Sequence, residues 1–348
     1  MEMLGIKFAP LNVPLKRRLE TLSAAVWFIW LSAGDLLGYL ITAYLLFYTT
    51  IIRYFMLLYF LWMYYDWDTG NKGGRSERWT RWLRNCTWFQ YYCDYFPVTL
   101  VKTTDLDPTK NYLFCCVPHG ILSTGVFGAF GTDILGCKET FPGLDVRIVV
   151  LDQHFKIPLF RDYVLMNGGV SSNEESLNYQ LSTKPEPPFT GRATVLIVGG
   201  AAESLECTLG TYRLLLKRRK GFVKLALKHG SPLVPVFSFG ETDIYDQVYG
   251  PEGSRLKKIQ HYIRKYIGLA PILLKGRGFF QYSFGIIPHR KPVTIVVGSP
   301  LELPKLSEPT KEKIDEYHEK FTTKVIDLFE THKHKYIKDA DSVHLEFL

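Results

Sequence analysis

One imidazole stands where this sequence places an apolar run against a turn. His119 lies in Val117-Pro118-His119-Gly120, directly after the apolar stretch 111–117. A histidine titrates near neutrality, and beside a helix start it meets unpaired N–H groups able to hold an anion or a polarised carbonyl. Pro118 and Gly120 are the positioning residues of that turn, with the N–H groups after Gly120 as candidate oxyanion donors. Two carboxylates follow other apolar runs: Glu203 in Gly199-Gly200-Ala201-Ala202-Glu203-Ser204, and Glu241 in Phe239-Gly240-Glu241-Thr242-Asp243. A carboxylate on the second imidazole nitrogen would fix its tautomer and make it a better base. Glu203 is the first choice for that role and Glu241 a supporting one, although either acid alone suits a loop that caps a backbone N–H. Arg277, between two glycines, is a further supporting candidate. Arg218, Arg219, Lys220 and Lys224 belong to a cationic stretch, 216–229, suited to phosphates, with arginine giving the bidentate contacts.

The absent motifs narrow the chemistry. There is no GxSxG elbow, no Walker loop and no GxGxxG. The six cysteines (86, 93, 115, 116, 137, 207) show no CxxC pair and no zinc spacing, so no metal is expected. Cys115 and Cys116 lie inside the apolar run, where thiols are usually inert. A net charge of +8 and a pI near 9.0 favour anionic partners, while the apolar N-terminal stretch argues against nucleic acid.

The elements that must hold these residues follow from periodicity. Short apolar runs at Tyr112–Val117, Val146–Leu151, Ala193–Val198, Leu233–Phe237 and Val293–Val297 predict strands. Helices are expected at Ile121–Asp133, Asn173–Leu181, Gly221–His229 and Glu312–His332. This alternation predicts an α/β layer with a largely parallel sheet, whose ligands bind at the carboxyl ends of the strands. Ahead of it, Ser23 to Tyr65 carries only Asp35 and Arg53 as charges, enough for two helices back to back or a re-entrant hairpin. Basic residues flank both ends, Lys16 to Arg18 before and Lys72 to Arg84 after, which puts both on the cytoplasmic side. The expected units are an N-terminal segment 1–22, a membrane hairpin 23–65 and a catalytic domain 66–348. Arg78–Tyr95 and Arg255–Ile267 have the aromatic and basic composition of segments lying on a membrane surface.

Taken together, these stretches resemble the diacylglycerol acyltransferase type 2 family, which includes monoacylglycerol acyltransferases and wax-ester synthases. The resemblance runs through LYFLWMYYDWDTGNKGGRS, DYFPVTLVKT, NYLFCCVPHG, the FPG at 141–143, VGGAAESL, RKGFVKLALKHG, FSFGETDIYDQ and GRGFFQYSFGIIPHRKPVT. It implies an acyltransferase-like α/β domain and acyl transfer from acyl-CoA to a mono- or diacylglycerol hydroxyl, without a cofactor. A fatty alcohol is the alternative acceptor, and a non-catalytic lipid-binding scaffold the alternative role. It also implies an endoplasmic reticulum membrane location, with both termini and the catalytic domain cytosolic, lipid-droplet association, membrane lipid as a partner, and homo-oligomers as an open possibility. Val117 departs from the family's animal motif, His-Pro-His-Gly, and leaves His119 as the sole carry-over for the catalytic histidine. The histidine-four-aspartate signature of lysophospholipid acyltransferases is missing, because Thr124 stands at the aspartate position.

Overall fold

In the computed structural model, the apolar run 111–117 is the middle strand of a seven-stranded sheet. The structure describes residues 2–3, 5–10, 12–248, 250–251, 253–268 and 270–348. The strands are β1 (Val98–Lys102), β2 (Asn111–Val117), β3 (Leu144–Val150), β4 (Gly169–Ser171), β5 (Gly191–Ile197), β6 (Leu233–Phe239) and β7 (Val293–Val297), in the spatial order β1-β7-β6-β2-β5-β3-β4. β6, β2, β5, β3 and β4 are mutually parallel; β7 joins β6 antiparallel and carries β1 along its outer edge. The five expected strands are all present with ends moved by at most two residues.

Because β2 is covered on both faces, its side chains divide between two cores. Tyr112, Phe114 and Cys116 join the larger one, with Tyr92, Phe130 and Phe141. Leu113, Cys115 and Val117 join the other, under the helices Gly221–His229 and Lys311–Tyr336. Val117, 1% exposed, therefore packs with Phe237 and Phe239 in a core layer. That is why an aliphatic residue is at home where the family's animal motif has its first histidine.

The N-terminal apolar stretch folds as two helices, α1 (Leu15–Tyr48) and α2 (Ile52–Tyr65). α1 starts eight residues before Ser23, and its first half belongs to the globular core. Ser23, Ala24, Trp27 and Phe28 are buried, Ser23 Oγ donates to Trp88 O (2.8 Å) and Trp27 packs on Tyr92. Beyond Asp35 the helix is apolar and mostly exposed, as is α2. Among the described residues α1 alone is a helix long and apolar enough to cross a membrane. The exposed lengths, 36–48 and 52–65, are each about 20 Å at a helical rise of about 1.5 Å, whereas a hydrocarbon core is roughly 30 Å thick.

Polar contacts fasten this hairpin to segment 152–166. Asp35, the one acid of the stretch, meets His154 Nδ1 at 2.7 Å and accepts from Gln153 Nε2 at 3.1 Å. Tyr59 OH donates to Asp162 and accepts from Leu159 N (2.8 Å). At the end of α2, Asp66 accepts from Arg75 (2.6 Å) and from the fully buried Arg161 (3.0 Å). The DWDTGNKGGR stretch thus forms a buried ionic joint between the hairpin and the sheet domain. Gly34 and Gly38 lie under Phe160 and Ile157, where a Cβ would approach to 2.4 and 2.7 Å.

One expected helix differs. The chain after His119 does not enter a helix at Ile121; a turn comes first, then Thr124–Val126 as α-helix and Phe127–Gly131 as π-helix. Gly120 (φ +59°) and Ser123 (φ +54°) both adopt left-handed backbone, which the interior of a right-handed helix cannot contain. The surface segments differ less. Arg78–Tyr95 splits into two helices, Glu77–Arg84 and Thr87–Tyr95, with Trp79 and Trp82 exposed and Arg84 buried on Asp133. Arg255–Ile267 is helical, with Ile259, Tyr262 and Tyr266 exposed.

Candidate active site

His119 stands at the carboxyl end of β2, half-buried, where the strand hands over to the turn. Its Nδ1 lies 2.9 Å from Ser204 Oγ and 3.3 Å from Gly120 O. A carbonyl oxygen can only accept, so the Gly120 contact selects the tautomer with the proton on Nδ1, and the serine hydroxyl can accept from it as well. Nε2 then carries the lone pair, and it makes no hydrogen bond among the described residues. Burial pushes the ring pKa down to about 4, so the imidazole is neutral at physiological pH.

Glu203 is close, but not on the ring. Its Oε1 accepts the backbone N–H of His119 (2.6 Å) and its Oε2 that of Leu215 (2.7 Å). The expected carboxylate–imidazole pair is therefore replaced by a carboxylate–backbone clamp with serine on the ring. The cause is local: the short helix Gly200–Ser204 turns Glu203 toward the strand end and brings its neighbour Ser204 beneath the imidazole. Burial raises the Glu203 pKa, opposed by the N–H groups of His119 and Leu215 and by Arg219. Ser204, 1% exposed, is the residue that sequence reasoning passed over, and its one signal was adjacency to Glu203.

Glu241 holds the far side of the turn. Fully buried, it accepts from Thr124 N (2.6 Å), Gly125 N (2.8 Å) and Ser238 Oγ (3.1 Å). The helix-start donors expected to face an oxyanion are thus already occupied, a carboxylate at a helix N-terminus being favourable. The N–H groups of Gly120 and Ile121 have no acceptor among the described residues, and both residues are buried beside His119. Unpaired buried donors at such a position are suited to a developing oxyanion.

Burial also pushes the Glu241 carboxyl from 4.5 up to about 7, against the pull of its donors. The folded protein then holds this proton more tightly than the unfolded chain. The stability so gained is complete below the unfolded value and is lost as pH rises through the folded one. The apparent melting temperature is expected to fall between about pH 5 and about pH 8 by a step that Glu241→Gln, with no charge to bury, removes. A pH dependence identical in the two proteins would show that Glu241 is not its source.

The remaining candidates lie elsewhere. Arg218, Arg219 and Lys224 are exposed on the surface; Arg219 reaches Gly199 O (3.4 Å), while Lys220 is tied to Asp315 of the helix Lys311–Tyr336 at 2.5 Å. Arg277 does not join the histidine: it stacks on Tyr282 (4.2 Å to the ring centroid) in a separate cavity. Cys115 and Cys116 are fully buried and their thiols are pushed up by that burial, as inert thiols are. Among the described residues no cluster of three or more His, Cys, Asp or Glu could hold a metal ion.

A neutral imidazole with a free lone pair, clamped at the end of a parallel strand beside unpaired N–H groups, is an arrangement suited to taking a proton while an oxyanion forms. The chain belongs to the diacylglycerol acyltransferase family, whose model matches residues 44–347. It is 44% identical over 333 residues to the 2-acylglycerol O-acyltransferase 1 of Bos taurus, covering 95% of this chain and 96% of that protein. It is 42% identical over 329 residues to the diacylglycerol O-acyltransferase 2 of Dictyostelium discoideum, covering 94% and 96%. Among solved structures, a 1-acyl-sn-glycerophosphate acyltransferase from Thermotoga maritima is similar at 11% identity and a TM-score of 0.39, covering 91% of this chain and 96% of that one.

Proposed function

We propose that this protein transfers a fatty acyl group from acyl-CoA to the hydroxyl of a mono- or diacylglycerol, with His119 Nε2 as general base. The observation that carries the reading is the lone pair of Nε2, left unused by a neutral imidazole whose other nitrogen is held by Ser204 and Gly120. Nε2 takes the acceptor's hydroxyl proton as its oxygen bonds to the thioester carbonyl carbon. The carbonyl oxygen becomes an oxyanion, received by the N–H groups of Gly120 and Ile121. When the C–S bond breaks, the thiolate leaves and takes the proton back from the imidazolium, which regenerates the neutral base and releases CoA. The reaction so written needs no cofactor. Glu203 acts as a positioning residue through the His119 backbone, and Ser204 through its ring.

We read the apolar hairpin as the part that holds this site at a bilayer. With about 20 Å of exposed helix on each arm, it dips into one leaflet and returns, which keeps the domain and both chain ends on one face. We assign that face to the cytosolic side of the endoplasmic reticulum. A cysteine introduced at Arg53, near the hairpin tip, is expected to resist membrane-impermeant thiol reagents from both sides; labelling from the lumen alone would establish a full crossing instead.

The test of the activity is acyl transfer from labelled acyl-CoA by purified protein, with monoacylglycerol, diacylglycerol and fatty alcohol offered separately. Ester product with either acylglycerol is expected. Product with the fatty alcohol alone would replace the acceptor assignment, and no product with any acceptor would remove the reading.

A further inference from the structure

The clamp on His119 has a second end. Buried Glu203 accepts the His119 N–H on Oε1 and the Leu215 N–H on Oε2 (2.7 Å). Where Leu215 sits therefore decides where the carboxylate sits, and with it the backbone of His119. Leu215 directly follows a three-residue strand, Tyr212–Leu214. Among the described residues that strand has one ladder partner, the strand Leu345–Phe347. The two run parallel, with Leu345, Glu346 and Phe347 opposite Tyr212, Arg213 and Leu214. Leu348 N extends the pairing by donating to Leu214 O at 2.9 Å. That bond lies one residue before the N–H that Glu203 accepts.

The sequence of the segment explains why it lies there. Val343, Leu345 and Phe347 are partly buried and alternate with the exposed His344 and Glu346, the period of a strand with one face covered. The three apolar side chains pack on the core layer that contains Val117 and Phe237. Tyr212 and Leu214 enter the same layer, the Tyr212 ring lying 5.6 Å from that of Phe237 and 5.4 Å from that of Phe329. On the outer side Arg213 donates to Glu346 (3.1 Å) and to Glu206 (3.3 Å). Glu346 is largely exposed, and exposed ion pairs contribute little. Backbone pairing and the apolar contacts of Leu345 and Phe347 are then what hold the ribbon. Two strands alone are marginal, so each depends on the other and on the core beneath.

We propose that segment 345–348 is a positioning element for acyl transfer. By pairing with Tyr212–Leu214 it sets the Leu215 N–H, hence Glu203, hence the backbone of His119. The segment acts through Glu203 and not on the reacting atoms, and its bearing on the reaction rests on His119 being the base. If the ribbon opens and Leu215 withdraws, Glu203 loses a hydrogen bond inside the protein, where an unsatisfied carboxylate oxygen is costly. The carboxylate then turns, and its hold on the His119 N–H slackens.

The experiment compares the full chain in lipid nanodiscs as wild type and as three variants. Leu348→Pro removes the N–H that Leu214 O accepts, and a proline there still favours an extended Phe347. Phe347→Ser removes the apolar anchor, while Phe347→Leu keeps it. Thermal melting identifies variants that fold; should Phe347→Ser not fold, Leu348→Pro carries the test. Two properties are read: steady-state kinetics with labelled acyl-CoA and the acylglycerol that the wild type uses, and the backbone amide signal of His119 in nitrogen-15 histidine-labelled protein, identified by its loss in His119→Gln. In Leu348→Pro and Phe347→Ser, kcat is expected to fall about 10–10²-fold, as for a reacting group moved by a fraction of an ångström to 1 Å. KM for acyl-CoA should stay within about twofold, and the His119 amide signal should move. Phe347→Leu should restore both. An amide signal unmoved in the folded variants overturns the proposal whatever the rate, because a merely structural loss lowers the melting temperature without shifting His119 in molecules that remain folded. A signal that moves while kcat stays at the wild-type value supports the coupling and removes His119 as the base, so the two failures are told apart.

Discussion

His119→Ala is expected to lower kcat/KM for acyl transfer by about 10²–10⁴-fold, the contribution of a well-placed general base. That range corresponds to about 3–5 kcal/mol of transition-state stabilisation. The loss should fall mainly on kcat, because the ring's task is to receive a proton that moves only as the C–O bond forms. Residual activity is expected above the uncatalysed rate, since the unpaired N–H groups of Gly120 and Ile121 stay in place for the oxyanion. His119→Gln should be as impaired as alanine: its amide keeps polarity and some of the ring's bulk but offers no basic nitrogen. Steady-state kinetics with labelled acyl-CoA measures both variants. Near wild-type rates in either would assign the proton to another acceptor.

Gly120→Ala is expected to damage the same step without touching the base. Gly120 has φ +59°, a conformation that costs an L-residue roughly 1–2 kcal/mol. An alanine Cβ would also stand 2.5 Å from Glu241 Cγ and 3.1 Å from its Oε1. Glu241 has no room to withdraw, because it is fully buried and bound to Thr124 N, Gly125 N and Ser238 Oγ. The turn must therefore shift, moving the carbonyl that fixes the His119 tautomer and the two unpaired amides. A displacement of about 1 Å at a reacting group costs on the order of 10²-fold in rate. The expected outcome is a kcat reduced to about that extent, together with a lowered melting temperature, in a protein that still enters the membrane. Wild-type kinetics in Gly120→Ala would mean that the turn is not what positions the chemistry.

How far the sequence announced this arrangement depends on the range of the interactions. The strands at 112–117, 193–198, 233–237 and 293–297 were legible because each is an apolar run buried on both faces, and burial is written in composition. β1 and β4 were not. Val98–Lys102 is only partly buried and is recruited by β7 nearly two hundred residues later, while Gly169–Ser171 is a three-residue edge strand. The helix expected from Ile121 failed for a related reason. Ile121, Leu122, Val126, Phe127 and Phe130 do recur at helical spacing, but the start is set at Thr124 by Glu241, which arrives from the end of β6. Of the site, His119, Glu203 and Glu241 were legible as residue types following strands. Which atom each carboxylate would meet was not, because that depends on the left-handed backbone at Gly120 and Gly200 rather than on spacing. The separate address of Arg277 was equally hidden, since it depends on where the N-terminal segment folds back onto the 277–290 loop.

The account stands on a neutral imidazole with its proton on Nδ1 and its lone pair on Nε2. Nitrogen-15 NMR of histidine-labelled protein, with the His119 signals identified by their loss in His119→Gln, reads both properties at once. The predicted spectrum has a protonated Nδ1 and an unprotonated Nε2, unchanged from about pH 8 down to about pH 5.5, where an ordinary histidine titrates near 6.5. A proton on Nε2, or a midpoint near 6.5, would contradict it.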